Sequence, residues 1–254
     1  MNDPHVVAVH YELTFEADVQ YRPPQVRETL RGSEFDIEVE GSKVRMLPKS
    51  HFADRDSART AADRVARAWE VLIAFEVGTL GARLKYEKTE IVDRHPSPGI
   101  IELQAESFAS ATVFGSATLI RSLNRYPKAP DSAFELTPDA EFIWQRYRMF
   151  KEGREPLLSM AYFVLTAVET PAGGRKPAAK ALNVEEELLR KIGELSSTRG
   201  DSLSARKHAG SIVPLKSNEH VWLEKAIEKL IVQVGRSRTG PPSQRLTLSD
   251  LPPL

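Results

Sequence analysis

The chain has 254 residues, of which 41% are hydrophobic and 28% are charged. This composition is typical of a globular protein and excludes collagen-like, low-complexity and wholly disordered chains. The 35 Lys and Arg residues are matched by 35 Asp and Glu residues, so no bulk positive charge favours nonspecific binding to nucleic acid or to an anionic membrane. The chain has no cysteine, which excludes disulfides, thiolate zinc sites and cysteine nucleophiles.

The N-terminal residues contain no basic segment followed by an apolar core, so we expect no secretory signal and a cytoplasmic location. The most apolar stretch, Leu157 to Val168, is shorter than the ~20 residues that cross a bilayer. It predicts a buried helix, and no membrane partner is expected.

Residues 1–130 are predicted to form a domain with a mainly antiparallel sheet and one long helix. Alternating apolar residues predict a strand from Val6 to Phe15, and a hairpin from two short strands, 35–39 and 44–46, that meet at Gly41. Helical spacing from Arg55 to Val77 predicts a helix capped by Asp56 or Ser57. Further strands are predicted at residues 84–92, 99–106 and 108–119.

The two prolines between Tyr126 and Pro130 mark the predicted domain boundary, because proline cannot continue a strand or a helix. Residues 131–236 then predict a four-helix bundle. Its helices are predicted to begin with an N-cap at Thr137, at Glu155-Pro156, with a capping box at Asn183 and Glu186, and near Asn218.

The predicted class is therefore α+β, with a tail at residues 237–254. The tail contains four prolines and no helical period, which predicts either a flexible end or a segment draped over the body or over a partner. Tyr162 or Phe163 is expected at the centre of the bundle.

Signatures of common enzymes are missing. No glycine-rich dinucleotide or phosphate loop and no Gly-x-Ser-x-Gly element is present, and none of the six histidines stands four residues from another. No metal or cofactor is expected.

One polar segment, Ser196 to Gly210, stands between two predicted helices. Its arginines and lysine suit phosphate or carboxylate binding, and a histidine beside them could transfer protons near neutral pH. A solvated loop whose arginines cap the preceding helix explains the same composition. The binding candidates are Arg199, Asp201, Arg206, Lys207 and His208.

The run Glu141 to Gly153 mixes aromatic and charged residues. Phe142, Ile143, Tyr147 and Phe150 predict an apolar helical stripe, and the arginines between them are interpreted as partners of nearby glutamates. This run is therefore interpreted as a structural part of the helix rather than as a functional site.

Parts of the helical half resemble known bacterial proteins. The segments WQRYRMFKEGREPLLSMAYFVLTAVE, KIGELSSTRGD and WLEKAIEKLI, within residues 137–236, resemble a bacterial group that includes MauJ, named for methylamine utilisation. Their arrangement also resembles a HEPN-type helical domain, a bundle common in RNA-cleaving proteins. These resemblances imply a bacterial protein, a homodimer, and RNA or a nucleotide as the ligand class of active members.

In active HEPN ribonucleases, an arginine that stabilises phosphate is followed at a short spacing by a histidine that transfers protons. Here eight residues separate Arg199 from His208, and one separates Arg206 from His208. Because this spacing departs from the family pattern, the resemblance implies a module without catalysis.

Three hypotheses follow. The leading one is a non-catalytic binding or assembly module that forms a homodimer. The alternative is a metal-independent ribonuclease or nucleotide-acting enzyme that uses Arg199, Arg206 and His208. The third is a small-molecule pocket between the helix at residues 55–77 and the sheet.

Overall fold

The fold is described from a computed structural model that covers residues 3–15, 19–22, 27–77, 82–95, 119–122, 126–130, 133–200, 213–238 and 240–254. Contacts within the chain divide it into two compact units, Met1–Ser132 and Ala133–Leu254. The first holds an antiparallel sheet and the second is helical, which confirms the α+β class. The strands predicted at residues 99–106 and 108–119 fall outside the described residues, except for residue 119.

A five-stranded antiparallel sheet forms the body of the N-terminal unit, in the order β3-β4-β5-β1-β6. The long central β1 pairs with β5 on one side and with β6 on the other. A separate parallel pair joins two short strands, β2 and β7. The strands are β1 (Pro4–Phe15), β2 (Val19–Arg22), β3 (Glu28–Arg31), β4 (Phe35–Glu40), β5 (Lys43–Pro48), β6 (Ala82–Asp93) and β7 (Leu119–Ser122).

One helix, α1 (Arg55–Val77), packs against a face of this sheet. Its N-cap is Asp54, whose Oδ1 accepts a hydrogen bond of 2.7 Å from the Ser57 N–H, so the prediction of Asp56 or Ser57 as the cap was wrong. The cap lies two to three residues earlier than predicted, because a capping side chain accepts from the amide three residues ahead, which here belongs to Ser57. Trp69 and Ile73 are fully buried against the sheet, where the third hypothesis places a pocket.

The described residues of the helical unit form five α-helices, one more than predicted. These are α2 (Pro138–Lys151), α3 (Leu157–Ala172), α4 (Arg175–Ala181), α5 (Glu186–Thr198) and α6 (Ser217–Arg236). The added helix is α4, which has seven residues and follows the two glycines after α3.

The α3 helix contacts each of the other four helices of its unit. Its buried residues are Leu157, Leu158, Met160, Ala161, Val164 and Leu165. Tyr162 and Phe163, expected at the centre, are only half-buried. The expectation was wrong because a helix that is apolar on nearly all sides does not show which side faces the core.

Of two helix starts predicted from the sequence, one is confirmed and the other is wrong. Thr137 caps α2 as predicted, since its side chain accepts a 3.2 Å hydrogen bond from the Ala140 N–H. At α5, however, Glu185 is the N-cap, and Asn183 adopts a left-handed conformation with φ of 47°. The predicted capping box at Asn183 was wrong because this residue turns the chain, and its side chain bonds the tail instead.

The tail lies against the helical unit, which is one of the two predicted alternatives. The Asn183 Nδ2 donates to the Pro242 carbonyl at 2.8 Å, and the Leu246 N–H donates to the Asn183 carbonyl at 3.0 Å. Leu246 and Leu251 are buried. The last 15 residues thus form part of the packed surface of the unit.

Candidate functional site

Arg199, the first residue of the predicted polar site, directly follows α5. Its Nε donates to both carboxylate oxygens of Glu219, at 3.1 and 3.2 Å, and its Nη2 donates to Oε1 at 3.0 Å. The remaining Nη1 lies 3.5 Å from the Thr198 hydroxyl. The guanidinium is therefore committed to a structural partner.

Glu219, the partner of Arg199, lies in the first turn of α6. Its Oε2 accepts a 2.9 Å hydrogen bond from the Lys216 N–H, and its exposed fraction is only 7%. The bonds from Arg199 hold the pKa of the Glu219 carboxyl below its usual range, against the effect of burial. The pair joins the end of α5 to the beginning of α6.

A backbone hydrogen bond of 3.0 Å from the Gly200 N–H to the Val213 carbonyl joins the two described residues that flank positions 201–212. The other predicted site residues, Asp201, Arg206, Lys207 and His208, lie outside the described residues. Among the predicted candidates, Arg199 is thus placed in a structural clamp, and the use of Arg206 and His208 stays a prediction.

The aromatic and charged run on α2 forms structural pairs. Arg146 donates to the Glu155 carboxylate at 2.5 Å, and Arg148 donates to Glu152 at 3.4 Å. Ile143 and Tyr147 are buried as predicted, whereas Phe142 is 57% exposed. The predicted stripe was wrong at Phe142, whose phenyl ring lies at the surface.

The Tyr147 hydroxyl donates to two glutamates of α6, to Glu228 at 2.7 Å and to Glu224 at 3.2 Å. Lys151 donates to Glu224 and Lys225 donates to Glu228, both at 2.6 Å. Burial and the two carboxylates raise the pKa of Tyr147 far above its usual range. Each charge in this network has a partner, which is typical of a structural role.

The exposed Phe142 borders a groove of about 580 Å³ between α2, α3, α4 and the end of α6. Phe142 packs against Phe163 with ring centroids 5.1 Å apart. Most of the remaining wall is aliphatic, and it comprises Ile143, Ala167, Val168, Pro171, Ala172, Ala178, Ala181, Leu182 and Val234. The groove has the size and the lining that are typical of small-molecule sites.

The polar groups of the groove are mainly acceptors. Among the described residues, Asp139 is the one charged residue of the lining, and the hydroxyls of Thr166 and Ser237 donate to backbone carbonyls of α3 and α6. Pro171 lies within α3 and has no N–H, so the carbonyl of Ala167 receives no hydrogen bond from position 171. The lining therefore offers a carboxylate and hydroxyl oxygens.

Sequence reasoning did not identify this groove, because its walls come from four helices. Two signals pointed to parts of it. Pro171 inside an apolar helical stretch indicates a carbonyl without its helical donor, and the wide stripe of α2 contains one aromatic more than a single contact face holds.

No protein-family model, curated protein or solved structure matches this chain. Within the described ranges, no helix is both long enough and apolar enough to span a membrane. The same residues include no group of three or more His, Asp or Glu side chains that could hold a metal ion.

Proposed function

We propose that this protein is a non-catalytic binding module, and that its helical unit binds an apolar molecule carrying an amine in the groove between α2, α3, α4 and α6. The observation that carries the proposal is Phe142, whose side chain is 57% exposed at the edge of a groove of about 580 Å³. An exposed aromatic residue beside a concave apolar surface is typical of a binding site.

The polar groups of the wall favour an amine over an acid. An amine donates hydrogen bonds and carries positive charge, which complements the Asp139 carboxylate. A carboxylate ligand would face a like charge, since the described residues place no basic side chain in the lining of the groove. Desolvation of the apolar part of the ligand supplies the driving force.

Calorimetric titration with phenethylamine and with 3-phenylpropionate tests this proposal, because the two probes share a ring and a similar length but have opposite charges. We expect saturable binding of the amine, with a preference of about two- to fivefold, the size of one exposed charge interaction. Ala181→Trp fills the mouth of the groove and should weaken binding by about tenfold or more. Lys180→Trp adds the same ring one position away, outside the lining, as the matched control.

Equal binding of both probes would overturn the amine preference. Equal loss in Ala181→Trp and Lys180→Trp, or no binding of either probe, would overturn the groove as the site. If a partner protein or a second copy of this chain occupied the groove, the measured binding of the probes would instead depend on the protein concentration.

The proposed module acts as a homodimer in the cytoplasm of a bacterium. The resemblance to paired HEPN-type bundles supports the dimer, and Val221 on α6 offers an apolar side chain that is 51% exposed. Light scattering should give twice the monomer mass at micromolar concentrations, and Val221→Lys should shift the mass toward the monomer. A monomer mass for the wild type at all concentrations would contradict this assembly.

Metal-independent RNA cleavage separates the module from the nuclease hypothesis. We expect no cleavage of end-labelled single-stranded or structured RNA by the wild type, because Arg199 is committed to Glu219. Cleavage that disappears in His208→Ala would overturn the non-catalytic proposal.

A further inference from the structure

A second concave surface lies where the tail crosses α6. It has a volume of about 200 Å³, and its lining includes Lys229, Gln233 and Arg236 of α6 together with Arg245 of the tail. The three α6 residues stand at positions i, i+4 and i+7, so they share one face of the helix. We call this surface the basic cleft.

The cleft is built by contacts that fix the tail. Gln233 is only 4% exposed, and its Nε2 donates to the Gln244 carbonyl at 3.0 Å and to the Leu182 carbonyl at 3.2 Å. The Leu248 N–H donates to the Glu185 carboxylate at 2.9 Å. Arg245 therefore sits between two anchored positions, and the cleft is formed before any ligand arrives.

The lining of the cleft has more basic than acidic groups. Lys229 and Arg245 lie with one carboxylate, Asp250, and hydrogen bonds from Thr247, then the positive charge of Lys229, lower the pKa of that carboxyl. The Asp250 Oδ2 already accepts hydrogen bonds of 2.8 Å from the backbone N–H and the hydroxyl of Thr247. Its negative charge is thus partly engaged in holding the tail.

Two of these cations differ from most arginines of the helical unit. Among the residues that the structure describes, Lys229 has a longer-range electrostatic interaction with Asp250 in place of a contact ion pair, and Arg245 forms no contact ion pair. Most other arginines of the unit have a carboxylate partner, and these are Arg146, Arg148, Arg154, Arg175, Arg190, Arg199 and Arg238. In a chain with no net charge, this local excess indicates an anion ligand.

We propose that the basic cleft binds a phosphate dianion, either as inorganic phosphate or as the phosphate group of a small phosphomonoester. The Arg245 guanidinium and the Lys229 ammonium can each donate charge-assisted hydrogen bonds to phosphate oxygens. A cleft of about 200 Å³ encloses one phosphate and a few waters, and is too small for a polymer segment. The proposal does not depend on the groove.

Calorimetric titration with inorganic phosphate and with glycerol 3-phosphate, at constant ionic strength, tests the proposal and distinguishes the two sources. We expect saturable binding at one site per chain, weakened about tenfold or more in the double variant Lys229→Gln, Arg245→Gln. Lys180→Gln removes an exposed lysine of α4 that does not line the cleft, and it should leave the affinity within about twofold.

Binding of only one probe would assign the source of the phosphate and support the site. No saturable binding of either probe, or equal losses in the double variant and in Lys180→Gln, would overturn it. An RNA oligonucleotide that binds while neither probe competes would also overturn it, since a polymer would then bind elsewhere. Thermal unfolding of the double variant should be unchanged, which would show that its loss of affinity does not come from misfolding.

Discussion

The sheet of the N-terminal unit carries charges that pair across neighbouring strands, whereas the helical unit exposes a phenyl ring, and Lys229 and Arg245 of its basic cleft form no contact ion pair among the described residues. On the sheet, Arg45 donates to Glu38 at 2.8 Å, and His10 contacts Glu90 at 3.1 Å. Surface pairs of this kind contribute little to stability, but they leave few unsatisfied groups for a ligand. This difference favours the helical unit as the place of the proposed ligand binding.

The largest expected effect tests whether binding depends on one unit alone. Trp69 of α1 and Trp222 of α6 are both buried, so Trp69→Ala and Trp222→Ala should each lower the free energy of unfolding by about 3–5 kcal/mol through cavity formation. We expect only Trp222→Ala to impair amine binding in the groove. Denaturant melts and titration of both variants check this, and equal loss of binding would contradict the assignment.

The clamp at the end of α5 provides the next prediction. Arg199→Ala leaves the buried Glu219 carboxylate without its ion pair and should destabilise the protein by about 2–3 kcal/mol in denaturant melts. Glu90 on the sheet is about half exposed, and loss of its pairing through His10→Ala should cost well under about 1 kcal/mol. Comparable losses would show that the sheet pairs are stronger than their exposure indicates.

The same clamp predicts a pH dependence. The pKa of Glu219 is held below its usual value of 4.5, so the unfolded state binds more protons than the folded state as the pH falls below that value. The stabilisation is fully present above pH 4.5 and should disappear as the pH falls through the lower folded pKa. Glu219→Gln should flatten this part of the profile, and an unchanged acid limb would contradict the role of the clamp.

The Tyr147 network should show a smaller effect. Tyr147→Phe removes the hydroxyl that donates to the buried Glu228 and should cost about 1–2 kcal/mol. Tyr86→Phe is the matched change on the sheet, where the hydroxyl contacts Thr89 at 3.1 Å. Denaturant melts should rank Tyr147→Phe as the more costly of the two, and the reverse order would contradict the importance of the network.

The smallest effect concerns two histidines of the N-terminal unit. The Nδ1 atoms of His5 and His51 lie 2.9 Å apart, and burial, then the positive charges of Arg94 and His51, lower the pKa of His5. The unfolded state therefore binds more protons, and thermal stability should fall slightly as the pH drops through 6.5. His51→Gln removes one of the two charges and should reduce this slope, whereas an unchanged slope would show that the pair does not contribute.

Local sequence patterns were sufficient to predict the long secondary-structure elements. Alternation in β1 and helical spacing in α1 extend over many residues, and both elements occur as predicted. The short β3 has only four residues and pairs along one side with β4, so its pattern was too brief to recognise. The α4 helix follows two glycines with positive φ, and its sequence resembles a continued loop.

The candidate sites were harder to predict than the elements. Phe142 belongs to an apolar stripe by spacing, but only the positions of α3 and α4 decide that its ring stays exposed. Arg199 was selected for its charge, and its partner Glu219 stands twenty residues further along the chain. Sequence spacing shows which residues could act, whereas tertiary pairing decides which are already engaged.

The anchoring of the tail has a consequence for mutational tolerance. The Gln233 amide binds the carbonyl of Gln244, and the Asn183 amide binds the carbonyl of Pro242, so both contacts recognise backbone rather than side chains. Positions 243 and 244, which are exposed, can therefore vary in sequence while the path of the chain is retained. Pro242, Leu246 and Leu251 are buried, and they are the tail positions where substitution should be poorly tolerated.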